Sequence, residues 1–184
     1  MREFILVTGE ATLADEPFLS RLLNAAFFLS HGIRKDVILR VLIQDCGVLI
    51  SFVGDKLKHL HIDEQSMAGV LRKVERTALL PPRRPVSVHY GVIVEPSARL
   101  NICGGRYYLV SRRGRWLHDV LKRCENLRFV IGEEARVRCG GSAQNVKVTV
   151  FPKPVDTTLA ILNIELDRIC GMPSVSSNAL FPRL

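Results

Sequence analysis

Apolar positions along this chain come in short blocks whose spacing switches repeatedly between that of a strand and that of a helix. Phe4-Ile5-Leu6-Val7 is a continuous apolar run of strand length, with Gly9 close behind it, and it predicts a short buried strand. Asp15-Glu16-Pro17 carries a helix-start signature, because the Asp carboxylate caps free amides and Pro suits the first turn. The helix that follows, Phe18–Ser30, is apolar on almost every side, which predicts a buried element stopped by Gly32. Val37–Ile43 and Val48–Val53 are rich in β-formers and flank the turn-like Gln44-Asp45-Cys46-Gly47; they suit either an antiparallel hairpin or two adjacent strands. Asp63 caps a second helix with Met67, Val70, Leu71, Val74 and Ala78 at helical spacing, ended by Pro81-Pro82.

The second half repeats the interleaving. Val86–Val94 alternates with period two, and Tyr107–Val110 is a further strand followed by a basic turn, Ser111-Arg112-Arg113-Gly114-Arg115. A helix over Trp116–Cys124 leads into the buried strand Leu127–Ile131, which ends at Gly132. After a polar, Gly-containing stretch come strand Val146–Phe151, the turn Pro152-Lys153-Pro154 and a last helix from Val155 to Ile169, stopped by Gly171 and Pro173. Such interleaving predicts an α/β sandwich with a mostly parallel sheet: one domain over residues 1–173 and a weakly ordered tail over 174–184.

Charge narrows the partners. Lys and Arg number 26 against 18 Asp and Glu, a formal +8, and a positive excess favours polyanions whose phosphates release counterions on neutralisation. The longest apolar run, around Leu22–Leu29, contains Asn24 and is too short for a membrane span, and the N-terminal residues lack a secretory pattern; the expected compartment is the cytoplasm. Five scattered cysteines, with no C-x-x-C pair, suit a reduced compartment better than a disulfide framework. His59 and His61 share a face if extended, yet two ligands do not make a metal site, and none is expected.

Candidate chemistry lies at strand ends, where α/β sheets bind ligands. Ile131-Gly132-Glu133-Glu134 and Phe151-Pro152-Lys153-Pro154 stand out, whereas G-x-G-x-x-G, a P-loop and G-x-S-x-G are all absent. Ser30-His31-Gly32-Ile33-Arg34-Lys35-Asp36 is a polar island between buried elements. It reads either as a solvated loop or as a phosphate contact through Arg34, with Asp36 orienting it or accepting a proton. Arg112, Arg113 and Arg115 form the densest basic turn, and neighbouring Trp116 is either a helix core residue or a ring for a base to stack on.

Longer runs carry a resemblance. Met1-Arg2-Glu3-Phe4-Ile5, the stretch from Ala26 to Val37 (Ala-Phe-Phe-Leu-Ser-His-Gly-Ile-Arg-Lys-Asp-Val), Phe52–Lys58 and Asp63-Glu64-Gln65 resemble the archaeal tRNA pseudouridine-54 N1-methyltransferases. Tyr107-Tyr108-Leu109 and Phe129–Gly132 continue the likeness more loosely. The resemblance implies a SPOUT-type α/β sandwich with a deep C-terminal trefoil knot, a homodimer, tRNA as partner and S-adenosyl-L-methionine as cofactor. It implies transfer of a methyl group to N1 of pseudouridine, with an rRNA pseudouridine methyltransferase or a non-catalytic RNA-binding relative as alternatives. Carried onto this chain, it places the cofactor at Leu109, Gly132, Val150, Phe151, Pro152, Lys153 and Thr158; the polar island and the basic turn supply the RNA candidates Arg34, Lys35, Asp36, Arg112 and Arg113, and no catalytic residue is assigned. The chain departs from the family at Glu133, where Asp is usual, at Phe151, where a small residue is usual, and at Thr157-Thr158, which stand in place of a His-Cys pair.

Overall fold

A computed structural model of the chain describes residues 1–30, 32–58, 60, 64–101, 106–132, 143–171 and 175–176. His59, His61, the Asp63 cap, Cys103, Glu133, Glu134 and Cys139 lie outside the described residues. The first apolar run forms β1 (Arg2–Thr8), flanked in parallel by β4 (Val37–Ile43) and β9 (Leu127–Gly132). Phe4 and Ile5 point to opposite faces and both are fully buried, so the run has no polar alternation. β4 and β5 (Val48–Val53) are the antiparallel hairpin. The alternating stretch Val86–Val94 is two strands rather than one. β6 (Val86–His89) turns at Tyr90-Gly91 into β7 (Val92–Pro96), because the pattern of alternation survives a tight hairpin.

β8 (Tyr108–Trp116) and β10 (Gln144–Lys147) complete one eight-stranded sheet of order β10-β8-β9-β1-β4-β5-β7-β6. It is parallel from β10 to β4 and antiparallel from β4 to β6, a mixed sheet that is mostly parallel, as expected. Alpha helices α2 (Glu16–Phe27), α3 (Glu64–Leu79) and α5 (Val155–Cys170) share one core with the Phe4, Leu39 and Phe129 face of the sheet. A smaller cluster of Ile5, Val7, Leu42, Leu49, Tyr107 and Val130 occupies the other face.

After the single turn α1 (Ala11–Ala14), Asp15 caps α2 as expected, its Oδ1 accepting the Phe18 N–H at 3.0 Å. The helix ends earlier than its apolar pattern, at Phe27, because Phe28–Leu29 (β2) pairs antiparallel with Gly32–Arg34 (β3). Gly32 is therefore a strand residue, not a helix stop. Val175–Ser176 (β11), from the expected tail, adds to the other side of β3.

Two further expectations change near β8. The helix foreseen over Trp116–Cys124 shrinks to the single turn α4 (Leu117–Val120), because β8 runs on through Trp116 and the backbone is extended again at Leu121. Cys124 and Cys170 form a disulfide that joins the segment before β9 to the end of α5. Their separation of 46 residues is closed by tertiary packing, which spacing does not reveal; Cys46 is a free thiol. No helix among the described residues is long and apolar enough to cross a membrane.

Candidate active site

β8 and β9 pair only through Tyr108–Leu109 and Phe129–Val130, after which the two strands diverge. On its other side β8 jumps in register against β10, from Leu109 opposite Asn145 to Arg115 opposite Val146. Val110–Arg113 therefore swing out of the ladder, and the basic turn foreseen from sequence becomes a bulge in an edge-proximal strand. Gly114 ends this excursion against the neighbouring backbone: a Cβ there would stand 2.5 Å from the Val146 N, which no side chain tolerates.

The wedge so opened is a cavity of 540 Å³ beyond the carboxyl ends of β1, β9 and β10. Ligands in α/β sheets bind in this position, and the volume falls within the range of about 300–1,000 Å³ usual for small-molecule sites. Leu6, Val110, Ile131, Val148 and Val155 supply apolar wall, and Thr8, Thr12, Ser111, Thr149 and Thr158 supply hydroxyls. Several hydroxyls are tied down. Thr8 and Thr12 share a hydrogen bond of 2.6 Å, and the Thr149 hydroxyl donates to the Phe151 carbonyl at 3.2 Å. Arg112, Lys147 and Lys153 bring positive charge to the lining, and Asp15 is its only carboxylate among the described residues. Gly132 ends β9 at φ +144°, and a Cβ there would come 2.6 Å from the Val7 carbonyl oxygen. Glycine is required for β9 to lie this close to β1 as both reach the cavity.

Of the residues expected at the cofactor, Gly132, Phe151, Pro152, Lys153 and Thr158 line this one cavity. Leu109 does not; it packs against the Ile5 and Val130 cluster behind the sheet. Val150 is 64% exposed and turned to solvent, while Phe151 remains 71% exposed even as it borders the cavity. Thr8, Thr12, Asp15, Phe18 and Lys147 were not anticipated. The strand-end rule applied to β1 as well as β9 would have found Thr8.

The expected RNA residues separate. Arg112 lines the cavity and Arg113 is exposed beside it, but Arg34, Lys35 and Asp36 lie elsewhere. Arg34 is buried, its Nη1 and Nη2 donating to the two Asp167 carboxylate oxygens at 2.8 and 2.6 Å. Arg2 joins the same carboxylate at 2.7 Å and reaches Asp36 at 3.2 Å. This fork to α5 replaces the phosphate contact expected of Arg34, because its bidentate geometry is already used. Burial pushes the Asp167 carboxyl up, but hydrogen bonds from Arg34 and Arg2 and their charges outweigh it, and the group sits below its usual value. Lys35 alone of the three is exposed. No group of three or more His, Cys, Asp or Glu side chains suited to a metal occurs among the described residues.

An α/β sheet with a crevice where parallel strands diverge is the class of protein that these features define. The same fold occurs in the crystal structure of Archaeoglobus fulgidus Nep1 bound to S-adenosylhomocysteine. The likeness has a TM-score of 0.54 at 15% identity and covers 84% of this chain and 70% of that one. Residues 1–102 match the family model described as "Putative SAM-dependent RNA methyltransferase". The tRNA (pseudouridine(54)-N(1))-methyltransferase of Thermococcus gammatolerans is 30% identical, covering 94% of this chain and all of its own length. That of Thermococcus kodakarensis is 32% identical over 91% of this chain and 99% of its own, and that of Methanococcoides burtonii 24% identical over 91% and 96%. The chain belongs to the S-adenosylmethionine-dependent RNA methyltransferase family.

Proposed function

We propose that this protein methylates N1 of pseudouridine at position 54 of tRNA, using S-adenosylmethionine bound in the strand-end cavity. The observation that carries the reading is the cavity itself, where cationic, hydroxyl and apolar side chains converge around one carboxylate. Its residues fit the cofactor. The apolar wall suits an adenine ring, the hydroxyls suit a ribose, and Lys147, Lys153 or Arg112 suits a carboxylate. When bound, the cofactor supplies a methyl group activated by a sulfonium.

Pseudouridine is joined to ribose through carbon, so its N1 keeps an N–H, whereas the N1 of uridine is the glycosidic nitrogen. The protein must hold that nitrogen in line with the methyl group and accept its proton. We assign Asp15 to accept it, since it is the one carboxylate among the described lining residues and its Oδ1 is fixed by the Phe18 N–H of the α2 cap. Positioning lowers the barrier by fixing the reacting geometry, and general-base help typically adds about 10²–10⁴-fold. Arg34 and Asp36 act at a distance in this scheme, fixing the loop that carries exposed Lys35. Arg112, Arg113 and Lys35 contact RNA phosphates. The chain forms the SPOUT-type knot, works as a homodimer and acts in the cytoplasm, in keeping with the family it resembles.

Nuclease digestion and mass spectrometry of tRNA incubated with the protein and labelled cofactor test the reading. It expects N1-methylpseudouridine at position 54. Methylation of an rRNA pseudouridine instead, or no S-adenosylmethionine binding by calorimetry at millimolar concentration, would overturn it.

A further inference from the structure

Trp116 is the only tryptophan of the chain, and it stands at the surface rather than in the core. The next residues explain why. Leu117 and Val120 are the buried positions of α4, so the single helical turn turns its other side outward. The half-buried indole lies 5.9 Å from the His118 ring, centroid to centroid, at an interplanar angle of 19°. The Lys147 Nζ lies 4.8 Å from the centre of the indole. The His118 side chain is 61% exposed and pairs with Asp119 at 3.3 Å. Lys147 is the register partner of Trp116 across β10 and β8, and it also lines the cavity. One lysine thus joins this aromatic stack, open to solvent on its His118 side, to the site where a methyl group would be transferred.

The charge around the stack is one-sided. Arg113, Arg115, Lys122 and Arg123 are exposed on the same short segment, against Asp119 and Glu125. Stacked rings on a cation-rich segment match the two demands of a single-stranded nucleotide: a π-face for the base and positive charge for the phosphates. A ring serving only to cover an edge strand would need neither the imidazole stacked on it nor the surrounding arginines.

We propose that Trp116 and His118 form a stacking platform for an unpaired RNA base next to the target nucleotide, the base extending the stack on the His118 imidazole. Arg113, Arg115 and Lys122 then follow the backbone toward Lys147 and the cavity. The proposal rests on the reading of this protein as an RNA methyltransferase, but it is tested separately from methyl transfer.

Because Trp116 is the sole indole, its fluorescence reports on this surface alone. The probes are an unmodified oligouridylate and a tRNA carrying pseudouridine at position 54, titrated into the full chain, with filter binding as an independent measure of occupancy. The expected result is saturable quenching by both RNAs. In His118→Ala, affinity should fall on the order of 10-fold, while thermal stability and S-adenosylhomocysteine binding stay unchanged. Trp116→Phe should keep most of the affinity that Trp116→Ala loses, as stacking requires and simple edge coverage does not. Saturating RNA that leaves the emission unaltered overturns the platform even if methylation proceeds. So does a His118→Ala variant with unchanged affinity, or the failure of either RNA to bind. Quenching that His118→Ala weakens supports it even if no methyl group is transferred.

Discussion

Arg2 and Arg34 at one end of the molecule and Arg112, Arg113 and Arg115 along β8 are equally cationic, but their surroundings are opposite. The first pair is buried and shares the Asp167 carboxylate of α5, with Asp36 behind Arg2. Asn163, one turn earlier on α5, adds a donor to the Ala25 carbonyl at 2.9 Å, so the same helix face ties down β1, β3 and the end of α2. The three arginines of β8 are exposed, and among the described residues no carboxylate meets them. A closed arginine is a structural tie, and an open one is left for a polyanion. The difference is made by a partner far away in sequence, not by the arginines themselves.

Breaking the closed side should give the largest effect on stability. Asp167→Ala leaves two guanidinium groups buried without their shared carboxylate, and removing one partner of a buried pair costs about 3–5 kcal/mol. Chemical denaturation would measure it; a loss below about 1 kcal/mol would mean that the cluster is solvated like a surface pair. Asp15→Asn sharpens the contrast from the catalytic side. Asn caps a helix about as well as Asp, so the melting temperature should hold while single-turnover methyl transfer falls about 10²–10⁴-fold. Equal rates for the two proteins would remove Asp15 from the chemistry.

Acid provides a further test of the closed cluster. The folded Asp167 carboxyl is held below its ordinary value. Its contribution is therefore complete above the unfolded carboxylate value of about 3.9 and is lost as pH falls through the lower folded value. Stability followed downward from pH 5 should drop more steeply in the parent protein than in Asp167→Asn. The smallest change in stability belongs to the open side. Arg113→Ala with Arg115→Ala should shift stability by no more than about 0.5 kcal/mol, as for other surface positions. Yet it should flatten the salt dependence of RNA binding by about 0.7 per lost phosphate contact. An unchanged salt slope would mean that β8 does not meet the RNA backbone.

Local signals were well read in the sequence. The Asp15 cap, the β4–β5 hairpin, the buried β1 run and helix α5 each depend on spacing and turn chemistry within a few residues. What escaped depends on distant partners. Asp167 lies 133 residues from Arg34, Cys170 lies 46 from Cys124, and both pairings arise from where α5 packs. The basic turn is instead a bulge within β8, made by the Leu109-to-Arg115 register jump against β10, and the Trp116 helix is a single turn after it. At the cavity, Gly132 and the Phe151–Lys153 loop were visible as strand ends and as a family resemblance. Asp15 was visible only as a cap; its place beside the cavity follows from the C-terminal end of β1.

The most direct measurement of the central claim is methyl transfer to two tRNAs identical except at position 54, one with pseudouridine and one with uridine. Transfer confined to the pseudouridine tRNA, with the label on N1, is the predicted result, since only that base offers a free N1–H. Equal transfer to both tRNAs, or transfer to neither, would contradict the account.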